Sequence, residues 1–290
     1  MDHLASLEED KEIMAASTAA SVQKYSNLLK SFTASSSTFQ ILHSFGPPRS
    51  SQSIKRLYIL DSSFNPPTLA HLHIATSSIA SPCRLLLLLA IQNADKAPKP
   101  LSFPERLHLL TIFASSLSKR PQQQDGSRPE HDGQDLGLGI DIGVTKLPYF
   151  HSKASSIRQS GEYATDPEQI HLTGFDTLIR ILDPKYYDHG RLDVLQGFFE
   201  TSRLNVTLRD GGQWGERAQQ EDLLRKIASG ELEGIGARRE WVTDERIVLV
   251  EGRGGSPISE FVSSQFFLCR FTLKKERLCL ALLLGTVETR

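Results

Sequence analysis

The chain has 290 residues, of which 39% are hydrophobic and 23% charged, and its formal net charge at pH 7 is -1. This length and hydrophobic content suffice for one large α/β domain with an appendage, or for two small domains. A nearly neutral chain has no overall attraction for nucleic acid or for an anionic membrane surface. We therefore expect no nucleic-acid partner and no membrane partner, and any phosphate binding must come from a local site.

Cysteines and apolar runs narrow the class of protein further. Cys83, Cys269 and Cys279 are scattered, without CxxC spacing and without a histidine at the spacing of a zinc site. The acidic amino terminus lacks the apolar core of a secretory signal, and the longest apolar run, Leu85 to Ile91, is too short to cross a bilayer. These features predict a soluble protein of the cytoplasm or nucleus, with no metal site formed by a cluster of protein ligands.

Residues 1–53 form an amino-terminal extension rich in Ser, Ala and Thr, which we predict to be helical or partly disordered. Within it, Val22, Tyr25, Leu29 and Phe32 recur at helical spacing and predict an amphipathic helix over residues 13–32. The following Pro- and Ser-rich segment, residues 46–53, is typical of a linker.

From residue 54 onward, segments with strand character alternate with segments of helical periodicity. The predicted strands are 56–61, 84–91, 138–144, 169–173, 204–209 and 246–251, and the predicted helices are 68–78, 103–117, 152–160, 177–182 and 215–229. The second strand is continuously apolar, which is typical of burial on both faces of a parallel sheet. The Gln-rich stretch 119–137 is predicted to be a disordered insertion. The alternation predicts an α/β fold with a doubly wound parallel sheet.

One stretch carries most of the candidate chemistry: Leu60-Asp-Ser-Ser-Phe-Asn-Pro-Pro-Thr-Leu-Ala-His71, directly after the first predicted strand. In an open α/β sheet this position borders the usual ligand crevice, and a helix that begins there offers unpaired N–H groups to phosphate. Thr68 is the predicted N-cap, and it shares one face of the first turn with His71. Asn65 can donate an amide hydrogen bond to the same place. The alternative is a Pro turn with a capping Thr and an incidental His.

This stretch resembles the HxGH-type signature of a nucleotidyltransferase superfamily, and more closely the GSFNPxTxxH pattern of the nicotinamide mononucleotide adenylyltransferases. Ser62 stands in place of the usual Gly, and Ala70 in place of the Gly of HxGH; both are small, so the backbone can still approach a phosphate. The resemblance covers about residues 55–258 and is closest to a fungal-type branch. It implies a Rossmann-like fold of the nucleotidyltransferase type over residues 54–258, with a helical amino-terminal extension.

The resemblance assigns roles to the residues of this motif. It implies that His71, Asn65 and Thr68 are catalytic, because they would stabilise negative charge on the α-phosphoryl group of ATP. It also implies that Ser63 and Phe64, together with His71, bind ATP.

A second stretch, Gln92 to Lys99 followed by Phe103-Pro-Glu-Arg106, lies where these adenylyltransferases bind the mononucleotide. Lys96 or Lys99 can neutralise a substrate phosphate as a point charge, and Arg106 can pair with a phosphate or carboxylate. The resemblance thus implies three substrate contacts; an ordinary solvated basic loop is the alternative.

A third stretch, His171-Leu-Thr-Gly174-Phe-Asp176, resembles the GxD element that contacts adenosine in this family. Gly174 permits close backbone approach, and the Asp176 carboxylate can accept ribose hydroxyls or can instead cap the following helix. Both residues are predicted to bind ATP.

Further substrate contacts are predicted near the end of the domain. Arg209 ends a predicted strand at its carboxyl end, where ligands collect. Trp214 and Trp241 can each stack on a nicotinamide or adenine ring, or can instead be packing residues.

The carboxyl end departs from the family pattern. The family closes with an ISSTxxR-like element whose Ser, Thr and Arg hold the β- and γ-phosphates of ATP. Here Pro257-Ile-Ser259 matches its beginning, which makes Ser259 a predicted ATP contact, but the STxxR remainder is absent. The codons of Ser259-Glu-Phe261 can contain GTGAGT, a splice-donor sequence. We therefore hypothesise that the atypical tail, residues 259–290, is translated intron.

Taken with the motif, the resemblance implies transfer of AMP from ATP to nicotinamide mononucleotide, which yields NAD and pyrophosphate. The implied cofactor is Mg²⁺ bound through the ATP phosphates. Two alternatives stay open: another adenylyl- or cytidylyltransferase of the same superfamily, or a non-catalytic or ATP-hydrolysing regulatory protein on the same fold, which the missing STxxR sequence favours. The oligomeric state is left open by the sequence.

Overall fold

A computed structural model of the chain describes residues 2–49, 54–77, 79, 83–92, 101–119, 138–208 and 216–251, and the side chains from residue 15 onward. Within these ranges the strands are β1 (Phe39–Phe45), β2 (Arg56–Asp61), β3 (Cys83–Ala90), β4 (Gly139–Thr145), β5 (Glu168–Gly174), β6 (Ser202–Thr207) and β7 (Ile247–Val250). The helices are α1 (Asp2–Ala34), α2 (Leu69–Thr76), α3 (Phe103–Ser118), α4 (Phe150–Gln159), α5 (Phe175–Ile181), α6 (Leu195–Thr201), α7 (Arg217–Ser229) and α8 (Glu240–Thr243).

These seven strands form one sheet in the order β1-β4-β3-β2-β5-β6-β7. Strands β2 to β7 are parallel, and β1 runs antiparallel to β4 at the edge. From β2, the chain adds β3 and then β4 toward one edge of the sheet. It then returns to add β5 on the other side of β2, followed by β6 and β7 toward the opposite edge. The reversal lies between β2 and β5, so a crevice is expected at the carboxyl ends of these two strands. The predicted doubly wound parallel sheet is confirmed.

The apolar run in β3 is buried on both faces. Leu85, Leu87 and Leu89 pack into a cluster that includes side chains of α1 and α3, whereas Leu86 and Leu88 face the opposite cluster with a residue of α4. Each buried leucine side chain stabilises the fold by about 2 kcal/mol. Because both faces of this strand are buried, apolar residues are favoured at every position rather than at alternate ones. A third cluster packs α5 to α8 against β6 and β7.

The amino-terminal helix is longer than predicted and docks on α3. Tyr25 and Phe32 are buried in the cluster shared with α3, and Tyr25 Oη lies 2.5 Å from Thr111 Oγ1. Strand β1, which extends the sheet beyond β4, was not predicted, because its sequence follows a Ser-rich segment and shows no strict alternation. Helices α6 and α8 were not predicted either. The predicted insertion beyond Lys119 and the tail 259–290 lie outside the described residues.

At the amino ends of the strands, Arg84 of β3 and Asp141 of β4 form a bidentate ion pair with both side chains 0% exposed. Arg84 Nε and Nη2 donate to the two carboxylate oxygens at 2.6 and 2.8 Å, and Nη1 donates to the carbonyl oxygen of Pro47 at 2.8 Å. Ser44 Oγ and Tyr163 Oη also donate to Asp141, at 2.6 and 2.9 Å. We call Arg84 and Asp141 the amino-edge pair.

Candidate active-site cleft

The loop after β2 forms one wall of a cleft at the carboxyl edge of the sheet. Strand β2 ends at Asp61, and α2 begins at Leu69 with Thr68 as N-cap, as predicted. Phe64 has a φ of 40°, in the left-handed region, and its side chain is fully buried in the core. That burial anchors the loop, and Phe64 is not among the described residues that line the cleft.

His71 is oriented by the first turn of α2. The Thr68 backbone N–H donates to His71 Nδ1 at 2.9 Å, and Thr68 Oγ1 lies 2.7 Å from the same nitrogen. Because Nδ1 accepts a hydrogen bond from the backbone, the neutral imidazole is assigned its proton on Nε2. Nε2 lies 2.8 Å from Ser62 Oγ, and Ser62 lines the cleft. A phosphate oxygen that displaces the Ser62 hydroxyl would receive this N–H.

Asn65 and Arg106 connect the loop to the start of α3. Asn65 Oδ1 accepts a hydrogen bond from the Leu101 N–H at 3.1 Å, and Arg106 Nη1 donates to the Ser63 carbonyl oxygen at 3.0 Å. Burial of the Arg106 guanidinium lowers its pKa. Both side chains thus join the loop after β2 to the region around the start of α3. Their predicted contacts with ATP or substrate stay predictions.

The second wall comes from the end of β5, where Gly174 precedes the first turn of α5. Asp176 lines the same cleft as Ser62 and Ser63, so the structure brings the two predicted motifs together. Their juxtaposition follows from the topology, because β2 and β5 are neighbours in the sheet. The cleft has a volume of about 250 Å³, and it is lined by Asp61, Ser62, Ser63, Pro148, Tyr149, Phe150, Lys153, Asp176, Thr177, Arg180, Ile181, Tyr186 and Tyr187.

A third, aromatic wall was missed by the sequence analysis. Tyr149, 36% exposed, precedes α4, and its ring centroid lies 6.2 Å from that of Tyr187. The His151 ring stacks on Tyr149 at 5.8 Å, and Tyr187 Oη donates to the Ile181 carbonyl oxygen at 2.7 Å. Burial is the largest cause that raises the pKa of Tyr187. These fixed ring faces can stack on a nucleobase.

Lys153 was also missed. It lies on α4 and forms an ion pair with Asp61 at the end of β2; their side chains are 5% and 8% exposed. Its Nζ also lies 5.4 Å from the centroid of the Phe150 ring. One sequence signal was present, because Lys153 shares the buried face of α4 with Ile157, at helical spacing. We call Asp61 and Lys153 the cleft pair.

A buried imidazole lies close to the cleft pair. The His171 ring contacts Phe150 and Phe198, with centroid separations of 5.6 and 5.1 Å. Neither ring nitrogen has a hydrogen-bond partner in the described part of the chain. Burial, and then the positive charge of Lys153, lower the pKa of His171 to about 3. This imidazole is therefore neutral at physiological pH.

The remaining predicted contacts divide into two groups. Lys96, Lys99, Arg209, Trp214 and Ser259 lie outside the described residues and stay predictions. Trp241 is buried against Phe199, with ring centroids 4.6 Å apart, so it is a packing residue. Among the described residues, no group of three or more His, Cys, Asp or Glu side chains is placed to hold a metal ion. None of the described helices combines the length and apolar character needed to cross a membrane.

A doubly wound sheet, with SSFNPPTLAH after its first parallel strand and GxD after its fourth, defines a Rossmann-like nucleotidyltransferase. No family model matches the chain. It is 34% identical over 240 residues to the Schizosaccharomyces pombe protein named "Putative nicotinamide mononucleotide adenylyltransferase", across 82% of this chain and 84% of that protein. The chain therefore belongs to the nicotinamide mononucleotide adenylyltransferase-like family, and this membership supports an adenylyltransferase.

Proposed function

We propose that the protein transfers AMP from ATP to nicotinamide mononucleotide. A 5′-phosphate oxygen of the mononucleotide attacks the α-phosphorus of ATP, the bond to the bridging oxygen breaks, and NAD and pyrophosphate result. The observation that carries this proposal is one cleft shared by the Ser62–Ser63 wall and the Asp176 wall, at the switch between β2 and β5.

The geometry supports a division of the cleft into a phosphate side and a base side. On the phosphate side, the hydrogen bond that His71 Nε2–H donates to Ser62 Oγ can be redirected to an α-phosphoryl oxygen, and the positive end of the α2 dipole favours an anion there. Such preorganised donors stabilise the charge that develops in phosphoryl transfer, and the protein itself needs no nucleophile. On the base side, Tyr149 and Tyr187 offer ring faces, and Asp176 can accept ribose hydroxyls.

We propose that Mg²⁺ binds together with ATP, through the ATP phosphates. Mg²⁺ keeps several waters and is commonly held by phosphates with one or two carboxylates, so a protein cluster is not required. The carboxylates of Asp61 and Asp176 line the cleft and are the acidic groups available there among the described residues. When bound, the ion supplies neutralisation of the triphosphate charge.

The test is NAD formation from nicotinamide mononucleotide and MgATP by wild type, His71→Ala and His73→Ala. Both histidines lie on α2, but only His71 bonds to the cleft-lining Ser62, so His73→Ala is the matched control. Loss of one oxyanion-type contact lowers kcat on the order of 100-fold. We expect that loss for His71→Ala and a rate close to that of wild type for the control. An unchanged rate in His71→Ala would contradict the assigned role.

A second candidate function rests on the departure after Ser259, where the family's STxxR sequence is missing. It is a nucleotide-binding protein that hydrolyses ATP or regulates without making NAD. ATP binding and phosphate release without NAD, by the same preparation, would favour it. A panel of acceptors with ATP or CTP, scored for pyrophosphate, tests the other nucleotidyltransferase activities.

A further inference from the structure

We propose that Lys153 contacts a phosphoryl group of the bound nucleotide, and that Asp61 is the positioning residue that holds the ammonium group at the floor of the cleft. This inference rests on the proposed function, since it requires a nucleotide in the cleft. The inference adds a cationic side chain, Lys153, to the phosphate side of the cleft. No sequence motif indicates this residue, which lies 92 residues after Asp61 in the chain.

The first step of the argument is the hydrogen-bonding capacity of the ammonium. Lys153 has three N–H donors, and its side chain is only 5% exposed. In the described part of the chain it has one acceptor, Asp61 Oδ2, and one ring contact, Phe150. Removing an ammonium from water is costly unless its donors are satisfied. Because Lys153 lines the cleft, a phosphoryl oxygen is the group that would complete its coordination.

The second step is a contrast with the amino-edge pair. There, Arg84 donates to both oxygens of Asp141 and to a main-chain carbonyl, and Asp141 accepts two further hydroxyl donors. That pair is saturated by the protein itself. The cleft pair has a single bond between its members and borders an open volume, which is the arrangement expected when the remaining partner is a ligand.

The third step is the surroundings of Lys153. His171 is neutral, and neither of its nitrogens accepts a hydrogen bond from the ammonium. The rings of Phe150 and Phe198 exclude water from this side, so the field of the ammonium is weakly screened toward a ligand. The other charged groups that line the cleft are Asp61, Asp176 and Arg180. Asp61 compensates part of the ammonium charge, and a phosphoryl group would compensate more of it.

The experiment measures ATP and nicotinamide mononucleotide binding separately, and then kcat and KM, on full-length Lys153→Met, Lys153→Arg and Asp61→Asn. Lys185→Met is the matched control, because Lys185 is 64% exposed and does not line the cleft. Loss of a hydrogen bond to a charged group weakens binding on the order of 10- to 100-fold. We expect Lys153→Met to lose that much affinity for one nucleotide, and that ligand identifies the phosphate contacted.

Two further variants separate contact from positioning. Lys153→Arg keeps the charge, so we expect it to recover most of the lost affinity. Asp61→Asn keeps the Lys153 ammonium but removes the carboxylate that holds it in place. We therefore expect kcat to fall by a larger factor than the affinity for either nucleotide. A merely structural ion pair would lower the melting temperature of all three variants without changing affinity or kcat in the folded protein, and that result would overturn the proposal. If Lys153→Met does not fold, Lys153→Gln replaces it in the same measurements.

The outcome also separates this inference from the proposed function. NAD synthesis and unchanged nucleotide affinity in Lys153→Met would overturn the role of Lys153 and leave the function standing. Nucleotide binding that depends on Lys153, without NAD formation by wild type, would overturn the function and support the contact. Wild type that binds neither nucleotide would overturn both.

Discussion

The sheet carries a buried ion pair at each end, and the two pairs are built differently. The amino-edge pair, Arg84 and Asp141, has no exposed side-chain surface and bonds to three other segments of the protein. The cleft pair, Asp61 and Lys153, is almost as buried, but it has one mutual hydrogen bond and borders a cavity. Burial is therefore similar in the two pairs, and what differs between them is the degree to which the protein itself satisfies their donors and acceptors.

The largest effect that would sharpen this comparison is at the amino edge. Asp141→Ala leaves the Arg84 guanidinium buried without its carboxylate, and breaking a buried pair in this way costs about 3–5 kcal/mol. We expect urea denaturation to show that loss in the free energy of unfolding. Nucleotide affinity of the remaining folded protein should match wild type. A specific loss of nucleotide affinity without destabilisation would contradict the structural role of this pair.

A smaller effect is expected at His171, next to the cleft pair. Its folded-state pKa of about 3 lies below the ordinary value of 6.5, so the unfolded chain binds a proton that the folded protein does not. The unfolding free energy therefore falls as the pH drops below 6.5, and the loss reaches roughly 2 kcal/mol by pH 5. His171→Leu removes this dependence.

The measurement is urea denaturation at pH 7 and pH 5 for wild type, His171→Leu and the control His73→Leu. Wild type and control should lose more stability between these pH values than His171→Leu does. At pH 7 the variant should be as stable as wild type or more so, because it removes two buried nitrogens that lack partners. Identical pH dependence in all three proteins would show that His171 becomes protonated in the folded state.

The smallest effect concerns the aromatic wall. Tyr149→Ala removes one ring face from the base side of the cleft, and a stacking contact of about 1 kcal/mol corresponds to roughly a fivefold change in affinity. We expect KM for one nucleotide to rise by about that factor while kcat stays near the wild-type value. Tyr149→Phe, which keeps the ring, is the control and should behave like wild type. A large fall in kcat with unchanged KM would place Tyr149 at the reacting atoms instead.

The sequence predicted features that depend on local pattern. The continuous leucines of β3, the N-cap Thr68 and the strand–loop–helix context of the first motif are each contained within about a dozen residues. The alternation of strands and helices predicted the doubly wound parallel sheet, but the strand order that places β2 beside β5, and with it Ser62 and Asp176 in one cleft, came from the structure.

Features that depend on tertiary contact were not predictable in this way. Arg84 and Asp141 are 57 residues apart in sequence, and the members of the cleft pair are further apart still. The residue types of Asn65 and Arg106 suggested ligand contacts, which stay predictions, whereas their hydrogen bonds to Leu101 and Ser63, which join the loop after β2 to the region around the start of α3, depend on tertiary contact and were not predicted. Strand β1 gains its conformation from pairing with β4 rather than from its own pattern.

The most direct test of the account is a crystal structure of the full chain with nicotinamide mononucleotide, Mg²⁺ and an ATP analogue whose α- and β-phosphorus atoms are joined by a methylene group. The account predicts phosphoryl density against Ser62, Ser63 and the Lys153 ammonium, with His71 Nε2 bonded to a phosphoryl oxygen. The ribose should lie beside Asp176. A nucleotide bound away from the carboxyl ends of β2 and β5, or phosphates that leave Lys153 bonded to Asp61 alone, would contradict it.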